Sequence, residues 1–135
     1  PDIIEWPNFE FYGGQLQTSE HILHRDRNAW FNTTTVSRAV SWRLGTFRIH
    51  DTSRCMWLEE RSGNSFRNRA EAEYIVCTLR EFKQAFDPKN NLDIGIVTPY
   101  KAQQVYIEQL LSQSDNKWLE AHARVSTVDG FQGQE

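Results

Sequence analysis

The chain has 135 residues, 39% hydrophobic and 24% charged, which suits one soluble globular domain with a modest core rather than a disordered polymer. Its apolar runs extend for only a few residues, far short of the ~20 that cross a bilayer, and no charged-then-apolar leader opens it. A formal charge of −3 argues against a free-standing nucleic-acid binder, which presents a basic face, but leaves room for one wall of a groove completed elsewhere.

Pro1 and Asp2 suit the first turn of a short helix through Phe11, since proline has no amide to lose there and the aspartate meets the positive end of the dipole. Phe9, Phe11 and Tyr12 are expected in the core, and Gly13-Gly14 breaks the helix. Ser19 to Asn32 is charged, mixed and aperiodic, and reads as an exposed loop or insertion. His21 and His24 stand three apart there, but no cysteine or carboxylate is placed to complete a metal site with them, so no metal is assigned. Thr46-Phe47-Arg48-Ile49-His50 alternates as a strand does. Cys55 and Cys77 are too few for a disulfide scaffold or an unaided zinc site, and both are expected to be reduced and buried.

Arg61 to Arg67 reads as a polar turn. Asn68 then opens the clearest helix of the chain as its N-cap, and Glu71, three residues on, can reach back to complete a capping box. Ala72, Ile75, Val76, Leu79, Phe82 and Phe86 follow at steps of three and four, one continuous apolar face. Pro88 stops the helix by Phe86 or Asp87. After a turn at Lys89-Asn90-Asn91, Leu92 to Val97 is a short, apolar, buried strand, closed by Thr98-Pro99-Tyr100 because Pro99 cannot donate to a ladder. Lys101 to Gln113 gives a second helix, with Ala102, Val105, Tyr106, Ile107, Leu110 and Leu111 as its apolar surface. Ser114 to Asn116 ends it, and Ala123 to Val128 is the next strand. Strand, helix, strand, helix, strand implies a parallel sheet with right-handed crossovers. The loops after Val97 and Val128 then leave the same carboxyl edge, where open α/β sheets place their ligands.

The last of these loops runs from Asp129 to Glu135. Gly130 and Gly133 let its backbone bend and approach a ligand closely, exposed amides can face an anion, and the Gln and Glu side chains can reach hydroxyls. The chain starts without a methionine and stops inside this loop, so it is expected to be a piece of a longer protein.

Four stretches are similar, in order, to segments of one family. Phe11 to Leu16, FYGGQL, resembles an FYxGxL segment. Ser65 to Ala72, with Asn68 and Glu71, resembles an SxxNxxEA helix start. Ile94 to Gln103, IGIVTPYKAQ, is similar to the motif IGVITPYxxQ. Thr127 to Glu135, TVDGFQGQE, resembles the nucleotide- and strand-coupling motif of superfamily-one helicases of the nonsense-mediated-decay, senataxin and Dna2-like group.

The resemblance implies that residues 1–135 are a partial C-terminal RecA-like helicase domain, the second of two. The fold it implies is α/β, three-layer and of the P-loop NTPase type around a parallel central sheet, truncated, with residues 19–60 as an insertion or irregular region. The parent is then an ATP-dependent RNA or DNA helicase. ATP and Mg are held mainly by the missing first RecA-like domain, because no GxxxxGK[ST] string occurs between Pro1 and Glu135. The fragment alone is expected to be inactive and to carry no catalytic residue. Residue by residue, Thr98, Pro99, Tyr100, Gln103, Thr127 and Val128 fall on the nucleic-acid side, with Thr98 and Thr127 on the backbone. Gln132, Gly133 and Glu135 fall on the ATP side, with Gln132 coupling the two. The implied partners are single-stranded RNA or DNA and the first RecA-like domain, with no membrane, in an intracellular setting, nuclear or cytoplasmic.

Plainer readings stand beside these. Asn68 and Glu71 are explained by helix capping alone, Tyr100 by a ring closing the core, and Asp129 by a brace within its own turn. The alternative function is a degenerate helicase lobe that serves as a nucleic-acid or protein binding module without motor activity. A nucleotide-binding regulatory domain is a third. Thr98, Gln103, Thr127, Gln132 and Glu135 together favour the motor.

Overall fold

The computed structural model describes residues 2–18, 49–85 and 93–132. His21 and His24, Phe86, the turn at Lys89-Asn90-Asn91, Gly133 and Glu135 lie outside the described residues. The chain divides into two units, Pro1–His50 with Ala85–Asp87, and Asp51–Gln84 with Pro88–Glu135.

In the first unit, α1 spans Asp2–Tyr12, as its opening residues predict. Gly13 and Gly14 end it at φ 57° and 78°, left-handed values that a Cβ disfavours. The Gly14 amide donates to the Asn8 carbonyl, while the Asn8 side chain grips Leu16 through both its amide and its carbonyl. The aromatic residues of this helix are not core. Trp6, Phe9, Phe11 and Tyr12 are 65, 79, 68 and 54% exposed. At 3.6 residues per turn these four positions spread over most of the helix circumference, so they cannot share one buried face. Trp6 and Phe11 instead pack edge to face, 5.5 Å between ring centres.

The second unit opens with a feature that the sequence reading missed. Arg61 to Arg67 is not a plain turn but most of a hairpin, β1 at Glu60–Ser62 and β2 at Ser65–Arg67. Gly63, at φ 61°, takes the first central position of its two-residue connection, where a type II′ turn requires a positive value. Upstream, Ile49 and His50 carry no strand, and the rest of the strand expected at Thr46 to His50 lies outside the described residues.

Helix α2, Arg69–Ala85, follows the predicted face closely. Ala72 and Val76 are buried, and Ile75 and Leu79 pack against them. Strand β3 is Ile94–Thr98, α3 is Lys101–Leu111, and β4 is Ala123–Thr127. A 3-10 turn at Ser114–Asn116 and α4 at Lys117–His122 lie between α3 and β4, and α4 was not anticipated. Val128 does not extend the last strand. It opens α5, Val128–Phe131. Strands β3 and β4 pair in parallel across the α3 connection, which is the α/β arrangement expected of a RecA-like domain.

The core is small: Ala72 and Val76 of α2, Ile96 of β3, Ile107 and Leu111 of α3, and Leu119 of α4. Buried beside these six are the polar residues Asn68, Thr98, Gln103, Gln104 and Asn116. Both cysteines correct the expectation of burial. Cys77 lies one residue past Val76, about 100° around α2 and outside its apolar face, and Cys55 sits in an exposed turn.

Ile107 is fully buried at the middle of this core, whereas Val105 on the same helix is 40% exposed. Ile107→Ala is therefore expected to lower the unfolding free energy by about 2–5 kcal/mol, and Val105→Ala by less than about 1 kcal/mol. Urea unfolding followed by tryptophan fluorescence measures both; equal losses would mean that the core lies elsewhere.

Candidate functional site

The parallel register sets Thr98 directly opposite Thr127, the last residues of β3 and β4. Adjacent strands run about 4.8 Å apart, so both following loops start side by side at the carboxyl edge, as the alternation of elements predicts. Each threonine braces the turn that it starts. Thr98 Oγ1 accepts the Tyr100 amide at 3.4 Å, and Thr127 Oγ1 accepts the Gly130 amide at 3.3 Å, capping α5. Thr98 is buried and Thr127 half-buried. The edge offers to solvent Pro99, part of Tyr100, Val128, Asp129 and, after α5, Gln132.

Two glycines make this junction compact, and neither needs a positive φ. A Cβ at Gly130 would stand 2.2 Å from Ser126 Oγ, because the chain turns from strand to helix within one residue and brings position 130 over 126. A Cβ at Gly95 would stand 3.2 Å from the Phe131 ring, so α5 leans back onto β3.

Gln103 occupies a different position from the other candidates. It is 6% exposed, and its side-chain amide is committed to the backbone of Asn68. Oε1 accepts the Asn68 amide at 2.8 Å and Nε2 donates to the Asn68 carbonyl at 3.1 Å. Asn68 Oδ1 in turn accepts the Glu71 amide at 3.1 Å, the N-cap bond expected, and Nδ2 donates to the Trp57 carbonyl at 3.2 Å. The reciprocal half of the capping box is absent, since Gln103 holds the amide that Glu71 was to reach.

Three further polar residues have roles that the sequence did not disclose. Tyr100 gives α3 no side-chain cap, and Ser65 of β2 supplies one instead by accepting the Ala102 amide at 3.1 Å. Gln104 ties α3 to β4 through the Val125 carbonyl at 3.2 Å and also meets Glu108 and Lys101. Asn116 donates to the Leu110 carbonyl at 2.6 Å and accepts Arg80 Nε at 2.7 Å. The signal for Gln103 and Gln104 was their spacing to Ile107 and Leu111, steps of three and four that place them on the buried face.

Glu60 pairs with both Arg67 and Arg69 across the base of the hairpin. Arg69 and Arg67 both donate to the Glu60 carboxylate, and both guanidinium groups lie over the Tyr106 ring, at 5.9 and 5.2 Å. Arg69 first and then Arg67 hold the Glu60 carboxyl below the usual carboxylate range. Burial and the Glu73 carboxylate raise the Tyr106 hydroxyl, which donates to Glu73 at 3.2 Å. A groove of about 360 Å³ between hairpin and α3 is lined by Ser62, Ser65, Arg67, Lys101 and Tyr106, among others.

The described residues contain no group of three or more His, Cys, Asp or Glu placed to hold a cation, and the α3 amide at Ala102 is taken by Ser65. Nor is any helix among them long and apolar enough to cross a membrane.

The whole chain, residues 1–135, matches a protein family described as an AAA domain. Helicase sen1 of Schizosaccharomyces pombe is 28% identical over 138 residues, covering 100% of this chain and 8% of that protein. ATP-dependent helicase NAM7 of Saccharomyces cerevisiae is 32% identical over 146 residues, covering 100% and 13%. Regulator of nonsense transcripts 1 homolog of Drosophila melanogaster is 38% identical over 138 residues, covering 100% and 11%. The chain thus spans 8 to 13% of the length of these relatives.

Two measurements check the polar framework. Gln103→Leu keeps the volume and leaves the buried Asn68 amide without a partner, an expected loss of about 1–3 kcal/mol in urea unfolding. Gln103→Glu is expected to fail as a rescue, because its second oxygen faces the Asn68 carbonyl; a neutral result for both variants would mean that these bonds do not hold the fold. Glu60 gives a pH signature. Its folded pKa is depressed, so its contribution is present above the unfolded carboxylate value and is lost as pH falls through the lower, folded value. Glu60→Gln should accordingly flatten the acid end of the stability profile and leave the alkaline end unchanged.

Proposed function

The chain belongs to the AAA-domain family of superfamily-one helicases of the nonsense-mediated-decay and senataxin type, and from that membership we propose that it supplies the nucleic-acid- and ATP-facing motifs of a second RecA-like domain in an ATP-dependent helicase. The observation that supports the reading is the Thr98–Thr127 pair, which brings two polar loops from separate motifs to one edge. In this reading Thr98, Pro99, Tyr100, Thr127 and Val128 track a single strand of RNA or DNA along that edge. A threonine hydroxyl that accepts from its own turn still has a proton to donate to a phosphate oxygen. Gln103 serves that face indirectly, by pinning the first turn of α3 to the Asn68 backbone. Gln132, Gly133 and Glu135 face ATP across a cleft whose other wall is the first RecA-like domain, which holds most of the nucleotide and its magnesium. Motion between the two domains, set by nucleotide binding and release, would then step the protein along the strand. The compartment that goes with such a role is intracellular, nuclear or cytoplasmic.

The two loops carry separable duties, and the complete protein tests them. Thr98→Val removes one neutral hydroxyl, so single-strand affinity should fall by about 0.5–1.5 kcal/mol with the salt slope nearly unchanged, because no counterion is released by a neutral group. Glu135→Gln removes charge and keeps shape, so nucleotide affinity or turnover should fall while strand affinity stays. Fluorescence anisotropy with labelled strands and with a labelled nucleotide reads both. If Thr98→Val damaged nucleotide binding and spared the strand, the division of labour would be reversed.

A further inference from the structure

The hairpin carries a second face, turned away from the groove, and no function described so far uses it. Phe66 of β2 is 41% exposed, an unfavourable position for a large apolar ring unless something covers it. Its ring lies against Tyr100, 5.6 Å between centres and tilted by 56°. Tyr100 follows Thr98 and Pro99 directly, so Phe66 extends the carboxyl edge of the sheet by one aromatic ring. Arg61 is the cross-strand partner of Phe66 in the β1–β2 register, and directly opposed residues project from the same face. Arg61 is exposed, with its Nε–H on the Gly63 carbonyl that closes the hairpin. The other two arginines here, Arg67 and Arg69, are engaged with Glu60 and Tyr106.

An exposed cation beside two touching aromatic rings is the combination by which proteins hold single strands: bases stack on rings of any sequence, and a guanidinium follows the phosphates. We infer that Arg61, Phe66 and Tyr100 form a base-stacking platform that lengthens the strand-binding edge beyond Thr98 and Thr127. The occupant is a single-stranded nucleic acid, because the platform is continuous with that edge and its one exposed charge is positive. The inference rests on the proposed role of that edge. It adds a ring and a cation from the hairpin, a part of the chain outside both strand-end loops.

The test uses the complete protein, a fluorescein-labelled single-stranded oligouridylate, and an abasic strand of the same length and charge. Phe66→Leu keeps apolar bulk against Tyr100 and removes the ring. It should weaken binding to the base-bearing strand by roughly tenfold and leave the abasic strand unaffected. Phe66→Trp should retain or improve affinity. Arg61→Gln should weaken both strands and lower the salt slope by about one, the signature of a single lost phosphate contact. A thermal melt of each variant in the absence of strand separates packing from binding. If Thr98→Val weakens the strand while Phe66→Leu and Arg61→Gln bind as the unaltered protein does, the platform is overturned and the edge stands. If neither Thr98→Val nor the hairpin variants change affinity, or the unaltered protein does not bind the strand, both are overturned. Equal losses on base-bearing and abasic strands for Phe66→Leu would mean that the ring supports the fold or another protein surface instead, and would also overturn the platform.

Discussion

Everything in the larger unit is hung on Asn68. Its amide and carbonyl are bridged by the two ends of one side chain, Gln103, while its own side chain caps α2 and holds the Trp57 carbonyl. One residue thereby joins the segment before the hairpin, the start of α2 and the start of α3. The two Gln103 bonds are buried, so the alternative to them is not hydration but unsatisfied polar groups, each costing about 1–3 kcal/mol, while the cap and the Trp57 bond are part-buried. Hydrophobic burial alone tolerates sliding between helices. A paired amide does not, because its donor and acceptor must meet one backbone unit and no other. Among the described residues six apolar and five polar side chains are buried, so direction comes from the second set as much as adhesion from the first.

That directionality reaches the sheet edge. Ser65 caps α3 at Ala102, Gln103 fixes its first turn, and Gln104 ties it to the Val125 carbonyl of β4. The short path from Thr98 through Tyr100 into α3 is consequently held at three successive residues of the helix. On the other strand, Thr127 caps α5 and Phe131 leans on Gly95. The two loops thus owe their proximity to parallel pairing, and their shape to polar contacts made from beneath.

The sequence disclosed these features unevenly. Helix α2 was legible because its apolar positions recur over four turns and Asn68 marks its start. The parallel pair was legible from two short β-branched runs separated by a helix. The hairpin was not, since three-residue strands offer no alternation to count and only Gly63 marks the turn. The apolar surface expected for α3 was Ala102, Val105, Tyr106, Ile107, Leu110 and Leu111. Ile107 and Leu111 are buried, Tyr106 and Leu110 pack against the core, and Val105 is exposed. Gln103 and Gln104 complete the stripe, missed because glutamine is ordinarily a surface residue. In α1 aromatic content was read as burial although the spacing of Trp6, Phe9, Phe11 and Tyr12 matches no single face. Of the residues assigned by resemblance, Thr98 and Thr127 are neighbours, and Gln103 is buried with its amide on the Asn68 backbone. Gly133 and Glu135 lie outside the described residues.

The contact between positions 126 and 130 bears on how such a junction can change over time. Because a Cβ at 130 would fall inside the Ser126 hydroxyl, the two sites share one small volume. Bulk gained at 130 obliges the Ser126 hydroxyl to turn aside or a shorter side chain to take its place, since the Ser126 Cβ itself stands at an ordinary 3.6 Å. A strand that becomes a helix in one residue leaves its two flanks answerable to each other, and a side chain at 130 is admitted only as the one at 126 gives way.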